Sequence, residues 1–193
     1  KMVHAFGANR VLSATTTHGA YRPTPGHVEW AGKGELMLGS FMYSYSFEDF
    51  EPLLSILNKS GLAPRWVDDG RVALWNKMLL NIAINPVAAV IGKENSALLE
   101  PVIFDSVVAL MLEGVKIARM EGIRLENDEH LVNRLREVLV HTGSNYCSML
   151  QDVRAGRPTE IEILNAEICR RGEGLGVPTP LNQLMTSLIR QLR

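Results

Sequence analysis

The stretch LWNKMLLNIAINPVAAVIGKEN, residues 74–95, decides the fold of this chain because it predicts one long, apolar helix. Lys77, Asn81 and Asn85 recur at four-residue intervals, which places them along one stripe of that helix. Pro86 removes a backbone hydrogen bond and predicts a bend. A lysine and two amides are costly to bury unless they line a wet or ligand-filled cleft. A stripe that simply faces solvent explains the spacing equally well.

The pattern on either side of this helix changes near residue 68. Residues 9–40 are strand-like, AGKGELMLG at 31–39 predicts a hairpin turn, residues 47–60 predict a helix, and residues 64–70 predict a connector. After that, the spacing of apolar residues predicts helices only, over residues 71–91, 98–120, 127–141, 144–155, 159–171 and 181–192. The sequence therefore predicts two units, residues 1–67 and residues 68–193.

Composition limits the classes of function. The 193 residues include 20 basic and 21 acidic side chains, so no net field attracts nucleic acid or an anionic membrane, and small-molecule chemistry is expected. We expect no membrane partner, because no apolar run reaches the length of a membrane span. Cys147 and Cys169 lack metal-ligand spacing, so we expect no metal site, no disulfide and a cytoplasmic setting.

A second polar group lies in NYCSMLQDVRAGRPTEIEIL, residues 145–164. Asn145 and Ser148 are spaced for one helix face, and Glu160 falls in the first turn of the next predicted helix. Local capping and the positive end of a helix are sufficient structural reasons for all three. A third motif, TTTHGA at residues 15–20, ends a strand with polar residues and a glycine, where backbone could approach a ligand. An ordinary strand end explains it as well.

Taken together and in this order, these motifs resemble the ketopantoate reductase family, also called 2-dehydropantoate 2-reductase. The resemblance rests on TTTHGA, on W-x-K-x-x-x-N-x-x-x-N-P at 75–86, on Asn95, on S-M-L-Q-D-x-x-x-G-R-x-T-E-I-E at 148–162 and on G-V-P-x-P at 176–180. The sequence departs from the pattern at Ser96, where a glycine is expected, and at Ser13 and Ala14 before the threonines.

The resemblance implies a mixed fold. Residues 1–67 would be the tail of a Rossmann-type α/β cofactor domain, and residues 68–193 an all-α C-terminal domain like that of 6-phosphogluconate dehydrogenase. No G-x-G-x-x-G fingerprint occurs in the chain, so the phosphate-binding loop is expected in upstream sequence of about 100 residues.

The resemblance also assigns roles to residues. Lys77 would be the general acid. The substrate would be surrounded by Asn81, Asn85, Asn95, Asn145 and Ser148. Ala20 and Glu160 would contact the cofactor, NADPH, and no metal takes part.

The implied activity is the NADPH-dependent reduction of ketopantoate to pantoate, on the route to pantothenate and coenzyme A. One alternative is a related dehydrogenase for another 2-keto acid. A second is a non-catalytic helical dimerisation fragment, although ligand-type residues on buried helix faces count against it. The resemblance is compatible with a homodimer. The 193-residue chain by itself is expected to be inactive.

Overall fold

The computed structural model describes residues 2–32, 34–41, 45 and 47–192. The chain divides into two compact units, Lys1–Lys77 and Met78–Arg193, and the boundary falls within the helix Gly70–Ile91. The first unit contains helices α1 (Met2–Phe6) and α2 (Phe47–Lys59), the start of α3 (Gly70–Ile91), and strands β1 (Leu12–Thr16), β2 (Gly19–Thr24), β3 (His27–Gly32), β4 (Leu36–Ser40) and β5 (Pro64–Val67).

Two small sheets form the first unit. In one sheet, β4 lies centrally, antiparallel to β1 and parallel to β5. In the other sheet, β2 and β3 form a hairpin, which turns at Gly26 with a φ of 82°. That positive φ is a conformation that glycine adopts without strain.

Two expectations for this unit are wrong. The segment 31–39 is not a hairpin turn, because β3 and β4 on either side of it belong to different sheets; its Lys33 lies outside the described residues. The expected connector at 64–70 begins with strand β5, which pairs with β4. Pro64 does not prevent this pairing, because proline is tolerated at the first residue of a strand.

Helix α3 begins directly against the first sheet. A Cβ on Gly70 would lie 2.8 Å from the carbonyl oxygen of Gly39, and a Cβ on Gly39 would lie 2.7 Å from the Cα of Gly70. Only two glycines permit this approach of backbone to backbone. Asp69 accepts a hydrogen bond from the backbone N–H of Arg71 at 3.0 Å and so satisfies one free donor at the helix start.

Among its described residues, the second unit contains helices joined by turns and no strand. After α3 it contains a 3₁₀ segment (Asn95–Leu99), α4 (Pro101–Met120), α5 (Asp128–His141), α6 (Ser148–Arg154), a 3₁₀ segment (Glu160–Glu162), α7 (Asn165–Leu175) and α8 (Pro180–Gln191). Two helix predictions are wrong in their bounds. The helix expected over 144–155 begins only at Ser148, because Cys147 caps it, and the helix expected over 159–171 is a 3₁₀ turn followed by α7.

The core of this unit lies between α3, α4 and α7. Gly114 in α4 allows α3 to pack closely, since a Cβ there would lie 2.5 Å from the Ile82 side chain. Asn165 at the start of α7 is fully buried and donates to the carbonyl of Ile82 at 3.0 Å. That carbonyl is the one that Pro86, having no N–H, leaves without its helical donor. The amide thus offsets the defect that the proline creates in α3.

One described helix, α3, is long and apolar enough in length and composition to cross a membrane. Its most apolar window has a mean hydropathy of 1.3, and half of that window is buried inside the structure. The expectation that no such run exists is therefore wrong by this criterion. Core helices of soluble proteins pass the same test, so the finding by itself carries little weight.

Candidate active site

Lys77 contacts the TTTHGA motif. It lies in the first half of α3 with an exposed side chain, and its Nζ donates a hydrogen bond to the backbone carbonyl of Thr16 at 3.2 Å. Thr16 is the last residue of β1. The structure thus brings together two motifs that lie about sixty residues apart in the sequence.

Further along α3, the two asparagines become progressively less accessible. Asn81 is half-buried, and Asn85 is buried with 7% of its surface exposed. The alternative of a purely solvent-facing stripe does not hold for Asn85. Asn85 is therefore packed inside the structure, whereas a solvated stripe would leave it exposed.

Asn95 and Asn145 lie in adjoining loops. The backbone N–H of Asn95 donates to the carbonyl of Asn145 at 3.0 Å, and the Asn95 side chain donates to Thr142 Oγ1 at 2.9 Å. Asn95 Oδ1 is buried and has no hydrogen-bond partner among the described residues. An unsatisfied buried acceptor costs about 1–3 kcal/mol. The side chain of Asn145 is exposed.

Ser148 is the first residue of α6 and is exposed. Its neighbour Cys147 caps the helix, because Cys147 Sγ accepts from the N–H of Leu150 at 3.4 Å. The same sulfur donates to the carbonyl of Asn85 at 3.5 Å. Cys147 therefore connects the α3 segment that carries Asn85 to the helix start that carries Ser148.

Burial raises the pKa of the Cys147 thiol above its ordinary value of 9.0, although hydrogen bonds from backbone N–H groups oppose this shift. The thiol therefore stays protonated at neutral pH, which it must do to donate to the Asn85 carbonyl. A protonated, buried thiol is a poor nucleophile, so the chemistry of this residue is structural.

The two residues expected at the cofactor are both exposed. Ala20 lies on β2, paired with Trp30 of β3, and Glu160 begins the 3₁₀ turn that precedes α7. Within the described part of the chain, no group of three or more His, Cys, Asp or Glu side chains could hold a metal ion.

The first unit offers the ammonium group of Lys77, a group able to deliver a proton, and the second unit offers amides and hydroxyls of the kind that bind small polar molecules. No sequence pattern gives Cys147 or His18 a role, and none identifies the Thr16 carbonyl as the partner of Lys77. Cys147 lies next to Ser148 at a helix start, and that position was the available signal. A backbone carbonyl leaves no signal in a sequence.

Comparison with family models identifies the chain over most of its length. The model described as "Ketopantoate reductase PanE/ApbA C terminal" matches residues 69–193, and the model described as "Ketopantoate reductase PanE/ApbA" matches residues 1–42. The 2-dehydropantoate 2-reductase of Vibrio cholerae serotype O1 is 34% identical over 182 residues, which cover 94% of this chain and 60% of that protein. The chain thus spans about three fifths of the length of this curated relative.

Solved structures share the fold. The crystal structure of 2-dehydropantoate 2-reductase from Geobacter metallireducens GS-15 superposes with a TM-score of 0.90 at 26% identity, over all of this chain and 64% of that one. A D-mandelate dehydrogenase, solved in complex with NADH, also has a TM-score of 0.90, at 24% identity over 98% of this chain and 63% of that one. These likenesses agree with the expected fold class, a cofactor-domain tail followed by a helical C-terminal domain.

Proposed function

This chain belongs to the ketopantoate reductase family, and from that premise we propose that the full-length protein containing it reduces ketopantoate to pantoate with NADPH. The observation that carries the proposal is the exposed ammonium group of Lys77, hydrogen-bonded to the carbonyl of Thr16 in TTTHGA. This contact joins the proposed proton donor to the segment proposed to approach the cofactor.

Lys77 supplies the proton in the proposed reaction. NADPH, when bound, supplies the hydride that reduces the carbonyl carbon. As negative charge develops on the keto oxygen, the ammonium group of Lys77 stabilises it and then transfers one proton to it, giving the hydroxyl of the product. The neutral amine left on Lys77 recovers a proton from water before the next turnover.

The amide side chains select the substrate. Ketopantoate carries a carboxylate, a keto group and a terminal hydroxyl. Asn81, Asn85 and Asn95 are the proposed contacts to that hydroxyl, because an amide can both donate and accept a hydrogen bond. Asn145 and Ser148, both exposed, are the proposed donors to the carboxylate.

Ala20 and Glu160 are the proposed contacts to NADPH. Both are exposed and therefore accessible to a ligand, and the small side chain of Ala20 lets a large ligand approach strand β2. The product, pantoate, would enter the synthesis of pantothenate and coenzyme A. We propose a cytoplasmic setting, which agrees with two free cysteines and no disulfide in the described chain.

The experiment is NADPH oxidation by the full-length protein, followed by absorbance, with ketopantoate as substrate. Pyruvate, 2-ketoisovalerate and benzoylformate serve as controls, and NADH replaces NADPH in a parallel series. We expect kcat/KM for ketopantoate with NADPH to exceed every other combination by at least tenfold. A preference for benzoylformate or another 2-keto acid would instead support the related dehydrogenase, and turnover with none of them would contradict both.

A further inference from the structure

His18, in the middle of TTTHGA, is bound at both ring nitrogens. Its Nδ1 accepts a hydrogen bond from the backbone N–H of Gly34 at 3.1 Å, and its Nε2 lies 3.2 Å from the carbonyl oxygen of Leu62. An N–H can only donate and a carbonyl can only accept. The two partners therefore assign a neutral imidazole with its proton on Nε2.

The threonines beside His18 are tied to the same neighbouring segment. Thr17 and Glu35 exchange two hydrogen bonds, from the Thr17 N–H to the Glu35 carbonyl at 3.0 Å and from the Glu35 N–H to Thr17 Oγ1 at 2.9 Å. Thr16 Oγ1 donates to the Glu35 carbonyl at 3.1 Å and accepts from the His18 N–H at 3.1 Å. These bonds continue the β1–β4 pairing past its last paired residues.

Gly34 provides an independent sign that this turn is closely packed. A Cβ on Gly34 would lie 2.5 Å from both the backbone nitrogen of His18 and Thr17 Oγ1. Such a distance is too short for any side chain, so the backbone of residue 34 lies directly on the turn. On another side, the rings of His18 and Trp30 lie 5.5 Å apart between centroids. The end of β1 is therefore held from several directions.

The hydrogen bonds around His18 also hold Thr16, and the Thr16 backbone carbonyl accepts the hydrogen bond from Lys77 Nζ. A lysine side chain has four rotatable bonds, and one fixed acceptor restricts where its ammonium group lies. We infer that His18 is a positioning residue for the proposed reduction: its neutral imidazole fixes the end of β1, and the Thr16 carbonyl in turn fixes Lys77. The inference rests on the proposed function of Lys77 as proton donor.

A purely structural role and a positioning role predict different results. If His18 only stabilised the turn, its replacement would lower the melting temperature and leave the turnover of the folded enzyme unchanged. A positioning residue lowers kcat while the KM for ketopantoate and the Kd for NADPH stay close to their original values, because only proton delivery is disturbed.

The test compares three variants of the full-length protein. His18→Leu removes both ring hydrogen bonds, His18→Asn retains an acceptor near the position of Nδ1, and His27→Leu is the control, because His27 is an exposed histidine in the same unit. We expect kcat to fall at least tenfold in His18→Leu, to recover severalfold in His18→Asn, and to stay within twofold in His27→Leu. A kcat within twofold of the original in folded His18→Leu would overturn the inference.

A second measurement does not depend on activity. Trace acetylation with acetic anhydride, read by mass spectrometry, compares Lys77 with Lys59, an exposed lysine of α2 in the same unit. We expect the ratio of Lys77 to Lys59 labelling to change at least twofold in His18→Leu and not in His27→Leu. An unchanged ratio would refute the link between His18 and Lys77. The proposed function is tested separately: if it is wrong, the unmutated full-length protein turns over no 2-keto acid.

Discussion

At the scale of single residues, the Lys77 ammonium group has a backbone carbonyl as its partner rather than a carboxylate. A carbonyl cannot take up the proton, so the hydrogen bond orients the ammonium group and leaves its proton available. The polar stripe predicted the position of Lys77 on the helix, and the resemblance supplied its role. Neither identified Thr16 as its partner, because the contact spans 61 positions in the sequence.

Replacing Lys77 tests its proposed role directly. In the full-length protein, Lys77→Ala should lower kcat by about 10²–10⁴, the usual contribution of a positioned general acid. Lys77→Arg should keep substrate binding but recover little turnover, because a guanidinium keeps its charge and rarely gives up a proton. Steady-state kinetics with ketopantoate measure both, and near-normal turnover in Lys77→Ala would show that another group is the acid.

The buried thiol of Cys147 links the stability of the second unit to pH. Its pKa is raised by burial, so in the unfolded chain it ionises at a lower pH than in the folded one. Below about pH 9 both states are protonated, and the free energy of unfolding should fall as the pH rises above that value.

Cys147→Ser isolates this contribution, because serine keeps a donor and an acceptor but does not ionise in this range. We expect the decrease in the free energy of unfolding between pH 8 and pH 10 to be smaller in Cys147→Ser than in the original protein. Urea unfolding at several pH values measures this decrease in the original protein and in Cys147→Ser. Cys169, whose pKa burial also raises, is present in both proteins and cancels in the comparison. If the free energy of unfolding falls equally with pH in both proteins, Cys147 is not the titrating group.

At the scale of elements, helix α3 lacks one backbone hydrogen bond at Pro86, and a side chain from another helix replaces it. Pro86 predicts a bend and a carbonyl without its donor, and both follow from the geometry of proline. The donor is Asn165, which also donates to Asn182 Oδ1 at 2.9 Å. Asn182 in turn donates to Glu113 Oε2 at 2.8 Å. Since the Asn165 amide donates to two acceptors, its orientation is unambiguous.

A double-mutant cycle tests this repair. Asn165→Ala should destabilise the protein by about 1–3 kcal/mol, because it leaves the buried Ile82 carbonyl without a partner. In a Pro86→Ala background, residue 86 supplies its own N–H to that carbonyl, so the same substitution should cost about 1 kcal/mol less. Urea denaturation of the original protein, the two single variants and the double variant gives the coupling free energy between residues 86 and 165. Additive effects would mean that Asn165 contributes only through Asn182.

The errors in predicted element bounds have a common cause. Residues 144–147 have helical spacing, but Cys147 accepts the N–H of Leu150 and so begins α6 later. Residues 64–67 contain a proline and resemble a loop, yet they form β5 because β4 offers a free edge for parallel pairing. In both segments, a hydrogen-bond partner outside the local pattern decided the outcome.

At the scale of the whole molecule, the chain spans about three fifths of the length of its curated relatives. No G-x-G-x-x-G sequence occurs among its 193 residues, although that fingerprint is what a Rossmann domain uses to bind pyrophosphate. The proposed catalytic and substrate residues are all present, whereas the cofactor contacts proposed within this chain are only Ala20 and Glu160.

The 193-residue chain should therefore show no NADPH oxidation with ketopantoate, while the full-length protein does. Both are assayed under the same conditions, and circular dichroism confirms that the shorter chain is folded. The control is full-length Lys77→Ala, which differs from the full-length protein only at the proposed proton donor. Steady-state turnover by the 193-residue chain would mean that cofactor binding needs nothing beyond it.

Local patterns in the sequence were enough to predict the helical character of residues 71–193, the family and the candidate residues, because periodicity and short motifs are local properties. Only the tertiary structure decided that β4 pairs with β1 and β5, that Asn165 repairs α3, and that the Thr16 carbonyl holds Lys77. These contacts join residues far apart in the chain. Their partners are selected by which surfaces pack together, and local spacing does not encode that choice.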